Sequence, residues 1–214
     1  MAPITRVTLL RHGTTDANES GLFLGQTDVP INACGQAEAN ALAARLQDIP
    51  IDRIVSSDLA RARETAETIC LAHRTPLELQ TDRRLREMHL GDLEMAPAKE
   101  VHEKHPQLIQ RWLQDPQHVR MPGPDAESLL DVQTRAWEAI HERVQAEPGT
   151  HLAFVTHTFT LLTVLCRALG FDIAHFRRFH VDRASVSTLE WRPTGPVLRV
   201  FNDTAHLSKG KPSS

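Results

Sequence analysis

Residues 7–14 read Val7-Thr8-Leu9-Leu10-Arg11-His12-Gly13-Thr14, so a largely apolar run ends in a charged pair and a glycine. A buried parallel strand has a continuous apolar pattern of this kind, and its carboxyl end lies at the sheet edge where α/β proteins bind ligands. Gly13 is expected to let the backbone turn sharply and approach a ligand closely. Thr14, Thr15 and Asn18 add hydroxyl and amide donors. The stretch therefore predicts a histidine beside an arginine at a sheet edge, among groups that can hold an oxyanion.

Strand and helix patterns alternate along the rest of the chain. Apolar runs predict strands at residues 4–10, 53–57, 77–80, 151–156, 185–191 and 197–202. Helical patterns occupy residues 35–47, 58–73, 98–114, 127–146 and 158–169, with Asp58 as the expected cap of the second helix. This alternation predicts an α/β fold, a three-layer α/β/α sandwich with a mostly parallel sheet and one antiparallel edge strand. The least periodic segment, about 95–125, is predicted to be a small helical insert over the active site.

Length and composition restrict the class of protein. The 214 residues suit one α/β domain, expected at 1–208, with a disordered tail at 209–214. A net charge of −3 offers no basic face to nucleic acid. We find no signal peptide and no apolar run that could span a bilayer, and we therefore expect a soluble, cytoplasmic protein with no membrane association. Because Cys34, Cys70 and Cys166 form no CxxC pair, they are expected to be reduced, buried thiols.

Three further polar residues occur where predicted strands end. Arg61 lies one turn into the helix that follows the second strand, and His157 directly follows the strand at 151–156. Glu87 lies in a loop, within Leu-Arg-Glu-Met-His-Leu-Gly at residues 85–91. If the strands are parallel, these positions face the same crevice as His12. We therefore expect these four side chains to form one site.

This set of side chains suits phosphoryl transfer, in which positioning and electrostatic stabilisation supply most of the catalysis. Arg11 and Arg61 can bind the equatorial oxygens in a fixed geometry, and Asn18 can add an amide donor. His157 is expected to add a positive charge when protonated. The backbone N–H of Thr158, at a helix start, is a further expected donor. Because these groups neutralise a phosphate, no metal and no other cofactor is expected.

The reaction itself needs a nucleophile and a proton donor. His12 is the expected nucleophile, with nearby arginines favouring its neutral form. Glu87 is the carboxyl group that can be placed as proton donor to the leaving alcohol and then as base for the attacking water. Taken singly, His157 would more often be a structural histidine, and Asp28 a turn residue. The other histidines lack the spacing of a metal site. The combination of motifs carries the prediction.

Five segments follow one another in the order of a known family. They read Leu-Leu-Arg-His-Gly-Thr-Thr at residues 9–15, Gly-Gln-Thr-Asp-Val-Pro-Ile at 25–31, Ser-Ser-Asp-Leu-Ala-Arg-Ala at 56–62, Leu-Arg-Glu at 85–87 and Val-Thr-His at 155–157. Together they resemble the histidine phosphatase superfamily, in its phosphoglycerate mutase-like branch, from residue 4 to about 207. The resemblance implies a phosphohistidine intermediate. The implied nucleophile is His12, the implied proton donor is Glu87, and the implied phosphate contacts are Arg11, Asn18, Arg61 and His157.

The departures from that family favour a phosphatase over a mutase. Mutases of the branch have an arginine and a tyrosine after the proton-donor glutamate, where this chain has Met88 and Leu90 and contains no tyrosine. Thr158 stands where many relatives have glycine, so a side chain enters the rim of the pocket. We therefore expect metal-independent hydrolysis of a small phosphate monoester. The alternatives are phosphoglycerate mutase-type phosphoryl transfer and a non-catalytic binding protein of the same fold.

The expected rim of the pocket mixes apolar and polar side chains: Phe23, Leu24, Met88, His89 and Phe159. Such a rim favours a small organic alcohol as leaving group over a protein phosphosite. The natural substrate stays open, although residues 85–92 resemble glucosyl-3-phosphoglycerate phosphatases. Trp112 is expected to be a packing residue, with substrate contact as the less favoured interpretation. Dimers are common among the resembled proteins, so a homodimer is one expectation.

Overall fold

A six-stranded sheet lies at the centre of the structure, a computed structural model that describes residues 3–207. The tail predicted at 209–214 lies outside the described residues. In chain order the strands are β1 Thr5–Arg11, β2 Arg53–Ser56, β3 Leu79–Thr81, β4 His151–Thr156, β5 Val186–Arg192 and β6 Gly195–Asp203. Their order across the sheet is β3-β2-β4-β1-β5-β6. The first four strands are parallel, and β5 runs antiparallel to both β1 and β6. This arrangement confirms the predicted fold class.

Helices cover both faces of the sheet. They are α1 Asp16–Glu19, α2 Ala33–Leu46, α3 Ala60–Ala72, α4 Ala98–Lys104, α5 Pro106–Gln114, α6 Leu129–Ala146 and α7 Thr158–Ala168. Successive residues of β1 point to opposite faces, so Leu9 packs in the apolar cluster that contains α6 and α7. Leu10 packs in the cluster formed with α2 and α3. Each face of the sheet therefore has its own buried core.

The register of the central strands places the site. Arg11, the last residue of β1, is paired with Thr156, the last residue of β4. His12 and His157 therefore leave neighbouring strands at the same level of the sheet. β2 ends beside them, because Ser56 is paired with Val155. The carboxyl ends of three parallel strands thus meet at one edge, as the sequence predicted.

Two local predictions about helices are wrong. The helix expected over residues 98–114 is two helices, α4 and α5, which break before Pro106 because proline cannot donate the next helical hydrogen bond. Asp58 does not cap α3; its carboxylate accepts hydrogen bonds from Arg86 at 2.7 and 2.6 Å. The N–H of Ala60 instead donates to Asp28 Oδ1 at 2.6 Å. The first N–H of α3 is therefore bound by the carboxylate of Asp28, which is distant in sequence.

Two further expectations need correction. A Cβ on Gly13 would lie 2.6 Å from the carbonyl oxygen of Gly35, so close packing against α2 explains the glycine better than approach to a ligand. The cysteines are not all buried: Cys34 is exposed, Cys70 is half-buried and Cys166 is buried. Within residues 3–207, none of the helices combines the length and the apolar character needed to cross a bilayer.

Candidate active site

His12 follows β1 and is 3% exposed. Its Nδ1 lies 2.7 Å from the carbonyl oxygen of Gly13. Since a carbonyl oxygen can only accept, Nδ1 carries the proton and Nε2 keeps its lone pair. Burial, followed by the charges of Arg61 and Arg11, lowers the pKa of His12 well below its ordinary value. His12 is therefore neutral, and its Nε2 carries a free lone pair.

His157 lies at the start of α7, and its ring centroid is 5.0 Å from that of His12. Arg61 Nε donates to His157 Nδ1 at 3.2 Å, which places the His157 proton on Nε2. That Nε2 atom is buried and has no hydrogen-bond partner among the described residues. Burial and the charge of Arg61 lower the pKa of His157 well below its ordinary value. The expected positive charge is therefore wrong, because His157 is a neutral N–H donor.

Arg61 is fully buried in the first turn of α3. Its guanidinium donates to the carbonyl oxygens of Thr27 at 2.9 Å and Gly25 at 2.7 Å, in addition to His157. Burial lowers the pKa of Arg61 to about 10, so the group stays charged at neutral pH. Arg61 thus fixes the loop at 25–27 and the tautomer of His157 while it lines the cavity.

Arg11 supplies the second charge. Its Nη1 donates to the carbonyl oxygen of Val181 at 2.7 Å, which anchors the guanidinium. Its Nε is buried and lacks a partner within residues 3–207. Burial lowers the pKa of Arg11 to about 10, so it also remains protonated near pH 7. Two cations, Arg11 and Arg61, and the neutral His12 therefore line the same cavity, whereas His157 is not among its lining residues.

The predicted hydroxyl and amide donors divide into two groups. The Thr14 hydroxyl donates to Glu38, and Thr15 Oγ1 accepts the N–H of Asn18, so both threonines have structural roles. Asn18 Oδ1 accepts from Thr15 N, which leaves the Asn18 NH₂ group at the cavity wall. Thr158, the first residue of α7, also lines the cavity at a helix N-terminus. Asn18 and Thr158 are thus placed where an oxyanion needs donors.

Glu87 is buried, with both carboxyl oxygens close to backbone N–H groups. Oε1 accepts from Met88 at 2.9 Å and from Phe159 at 3.1 Å, and Oε2 lies 3.2 Å from the same Phe159 nitrogen. Burial raises the pKa of Glu87 above its ordinary value, against the opposing effects of those N–H groups and Arg61. Burial therefore extends the protonated form of Glu87 to higher pH than in an ordinary glutamate.

Arg135 on α6 holds the Glu87 loop, a role that sequence analysis missed. Its guanidinium donates to the carbonyl oxygens of Arg84, Arg86 and Glu87 at 2.7, 2.7 and 2.9 Å. The carboxylate of Glu127 pairs with it at 2.6 Å. One arginine on a long amphipathic helix carries no local signal of such a role. The contact depends on how α6 packs beside the loop.

A cavity of about 260 Å³ lies at this edge of the sheet. It is lined by the predicted residues Arg11, His12, Asn18, Phe23, Leu24, Arg61, Glu87, Thr158 and Phe159. Met88 and His89 are not rim residues: Met88 is fully buried in the core, and His89 Nδ1 accepts the N–H of Gly91. The cavity is also lined by residues that no sequence pattern indicates: Leu22, Gly25, Leu90, His102, Ile109, Leu113 and Met121. Trp112 also lines the cavity, although the sequence favours packing over substrate contact for this residue.

Comparison with known proteins decides the family. The model of the histidine phosphatase superfamily (branch 1) matches residues 7–204. This chain belongs to that superfamily.

Relatives within the superfamily carry different printed activities. The "Probable phosphoglycerate mutase GpmB" of Yersinia enterocolitica is 31% identical over 207 residues, 94% of each chain. The mycobacterial glucosyl-3-phosphoglycerate phosphatase with VO3 is 29% identical, with a TM-score of 0.82 over 93% of this chain and 99% of that one. The alpha-ribazole phosphatase of Shigella flexneri is 28% identical, with a TM-score of 0.81 over 92% and 96% of the two chains. Superfamily membership alone therefore does not say which reaction this chain catalyses, and the residues of its own site have to indicate it.

Proposed function

We propose that the chain is a phosphatase that hydrolyses a small phosphate monoester through a phosphohistidine, without a metal. The free, neutral Nε2 of His12 among two arginines carries the proposal. A neutral imidazole nitrogen can attack phosphorus, whereas a protonated one cannot. Arg11 and Arg61 supply the charge that a dianionic phosphate requires, so the proposal needs no metal.

The first step forms a bond between His12 Nε2 and phosphorus and breaks the bond between phosphorus and the ester oxygen. Glu87 gives its proton to that oxygen, so the alcohol leaves neutral. His157 donates its unpaired Nε2–H to an equatorial oxygen, beside donors from Arg11 and Asn18. These donors are fixed before the substrate binds, which is the arrangement that stabilises a transition state most.

The second step returns the enzyme to its starting state. Water attacks phosphorus, the bond from phosphorus to His12 Nε2 breaks, and the Glu87 carboxylate takes the proton of that water. Inorganic phosphate then leaves, and Glu87 is again protonated. The raised pKa of Glu87 supports both roles, because a carboxyl group with a pKa nearer to neutral can give and retake a proton.

Hydrolysis of p-nitrophenyl phosphate in EDTA, with the wild type and His12→Ala side by side, tests the proposal. We expect turnover by the wild type alone and an acid-labile phosphoenzyme after rapid acid quench of a labelled substrate. Loss of hydrolysis in EDTA would contradict the proposed metal independence. Full turnover by His12→Ala would contradict the proposed phosphohistidine intermediate. Exchange between phosphoglycerate isomers that requires a bisphosphoglycerate would instead support the mutase alternative.

A further inference from the structure

The cavity has two chemically different ends. One end holds His12, Glu87 and the two arginines. The other end is lined by apolar side chains from the loop after α1, from α5, from the segment before α6 and from α7. These are Leu22, Phe23, Ile109, Trp112, Met121 and Phe159. A substrate whose phosphate occupies the first end places its alcohol in the second.

An aromatic cluster builds one wall of the apolar end. Trp112 on α5 meets Phe159 on α7 with ring centroids 6.0 Å apart, and both rings contact the buried Phe176 at 5.6 and 5.8 Å. All three contacts are edge-on, a favourable geometry for aromatic pairs. The guanidinium of Arg177 lies 4.7 Å from the centroid of the Trp112 ring and is outside the cavity lining. The wall therefore offers a large, preformed apolar surface.

Two polar groups occur at the apolar end. The indole Nε1 of Trp112 is buried and has no hydrogen-bond partner within residues 3–207. His102 Nδ1 donates to the carbonyl oxygen of Ala98 at 2.6 Å, so its Nε2 is the nitrogen left to face a ligand. A buried N–H without a partner is unfavourable, and an acceptor on a bound ligand would satisfy it. The apolar end thus suits a ligand with a neutral acceptor.

The cationic side chains of the cavity do not extend to this end. Among the described lining residues the arginines are Arg11 and Arg61, and both belong to the phosphate end. Arg183 is near enough to lower the pKa of Arg11 and His12, yet it does not line the cavity. A carboxylate placed among Ile109 and Trp112 would lose its hydration without meeting a cation of the cavity lining, because Arg177 contacts the Trp112 ring from outside that lining.

We infer that the alcohol released by this enzyme is uncharged, mainly apolar and about the size of a substituted aromatic ring, with a hydrogen-bond acceptor. This inference rests on the proposed phosphatase function and specifies its substrate class. It separates the chain from relatives whose printed substrates are phosphoglycerate compounds, since those carry a carboxylate. The observation that carries it is the unpaired Trp112 N–H in a cavity whose described lining has cations only at the phosphate end.

A matched pair of esters tests the inference: 4-methylbenzyl phosphate and 4-carboxybenzyl phosphate. Both release a primary benzylic alcohol, so they differ chiefly in the charge at the far end of the ring. We expect kcat/KM to favour the methyl ester by about tenfold or more, because the unpaired carboxylate must be desolvated. Ethyl phosphate, which cannot reach the wall, measures the activity of the phosphate end alone.

Two variants test whether the preference for the methyl ester depends on the aromatic wall. Trp112→Ala should lower kcat/KM for 4-methylbenzyl phosphate by a larger factor than for ethyl phosphate, and Trp137→Ala is the control for loss of a tryptophan outside the cavity. His102→Arg adds a cation to the exposed edge of the cavity. This variant should raise kcat/KM for 4-carboxybenzyl phosphate relative to that for 4-methylbenzyl phosphate. His105→Arg, exposed and outside the lining, should not do so.

The outcomes separate the inference from the function on which it rests. Hydrolysis of none of the three esters would overturn the phosphatase proposal itself. Equal rates for the two benzyl esters, or a preference for the carboxylate that Arg183→Ala removes, would overturn the inference and leave the phosphatase intact. If Trp112→Ala does not fold, the comparison of wild type with His102→Arg still decides, because an unaltered ester ratio in that variant contradicts the inference.

Discussion

Replacing Glu87 by glutamine removes the proposed proton donor with little disturbance of its surroundings. Oε1 of Glu87 accepts the backbone N–H groups of Met88 and Phe159 at 2.9 and 3.1 Å. The amide oxygen of glutamine can occupy this position and keep both bonds, while its NH₂ group replaces Oε2 and loses only the 3.2 Å contact with the same Phe159 nitrogen. The new side chain has the same size at a position that is 8% exposed. Glu87→Gln should therefore fold as the wild type does and lack only the transferable proton.

The magnitude of the loss depends on the leaving group. A general acid contributes about 10²–10⁴-fold to the rate, which corresponds to about 2.7–5.4 kcal/mol of activation free energy. Ethyl phosphate should show this whole loss, because its alkoxide cannot leave without a proton. p-Nitrophenyl phosphate should lose far less, because p-nitrophenolate is stable as an anion. Rates for both esters are measured with wild type, Glu87→Gln and the exposed control Glu103→Gln.

The pH profile gives a second, independent readout. Burial raises the pKa of Glu87, so the acid form persists to higher pH than in an ordinary glutamate and is lost as pH rises through that pKa. Hydrolysis of ethyl phosphate should fall on this alkaline side in the wild type, and Glu87→Gln should lose that limb. Equal losses on both esters, or an alkaline limb that survives the substitution, would refute the assignment of Glu87 as the acid.

Four further predictions follow from the same geometry. His12→Ala should abolish turnover while far-UV circular dichroism stays unchanged. Arg61→Lys should not restore the vanadate affinity that Arg61→Ala loses, because lysine cannot reproduce the planar fork that holds Thr27, Gly25 and His157. Arg135→Ala should lower kcat for ethyl phosphate more than for p-nitrophenyl phosphate, because it releases the loop that carries Glu87, the proposed acid. Equal effects on both esters would indicate a general structural role. The pKa values of His12 and His157 are lower in the folded protein than in the unfolded chain, so the unfolded chain takes up protons first as pH falls. The free energy of unfolding should therefore decrease as pH drops below about 6.5. Urea unfolding midpoints measured across pH check this, and the decrease with falling pH should be smaller in His157→Asn.

The positions of the strand ends could be predicted from the sequence because their signals are local. The run before Arg11 at residues 7–10 is largely apolar, as expected for a strand buried on both faces. The strand at 151–156 has the same character, and it is β4, the neighbour of β1. Once both strands are parallel, His12 and His157 come together without any knowledge of the loops. The phosphate end of the cavity was therefore predictable.

The partners of those side chains were not predictable, because they depend on long-range packing. Arg61 bonds to carbonyl groups of a loop more than thirty residues earlier in the chain, and no composition pattern marks those carbonyls. The charge state of His157 follows from that arrangement, since Arg61 donates to its Nδ1. Asp28 reaches the start of α3 in the same way. A residue type can predict a chemical role, whereas the tautomer and the charge need the tertiary structure.

The apolar end of the cavity illustrates the same distinction. Met88 and His89 follow Glu87 in sequence, and on that ground both were expected at the rim. The loop turns them away from the cavity, Met88 into the core and His89 toward the N–H of Gly91. Their place is taken by residues of α4 and α5, whose register over the sheet is set by packing and by the break at Pro106.

Phe159 connects the two ends of the cavity in a way that constrains the reaction. Its backbone N–H holds the carboxyl group of Glu87, and its ring packs against Trp112 in the aromatic wall. The bond to Glu87 comes from the backbone, so the acid stays anchored whichever side chain position 159 carries. The ring, by contrast, sets the shape that the leaving alcohol meets. A substitution at this position can therefore alter the shape offered to the proposed alcohol while the backbone bond to Glu87 persists, and the relatives in this superfamily do differ in their printed substrates.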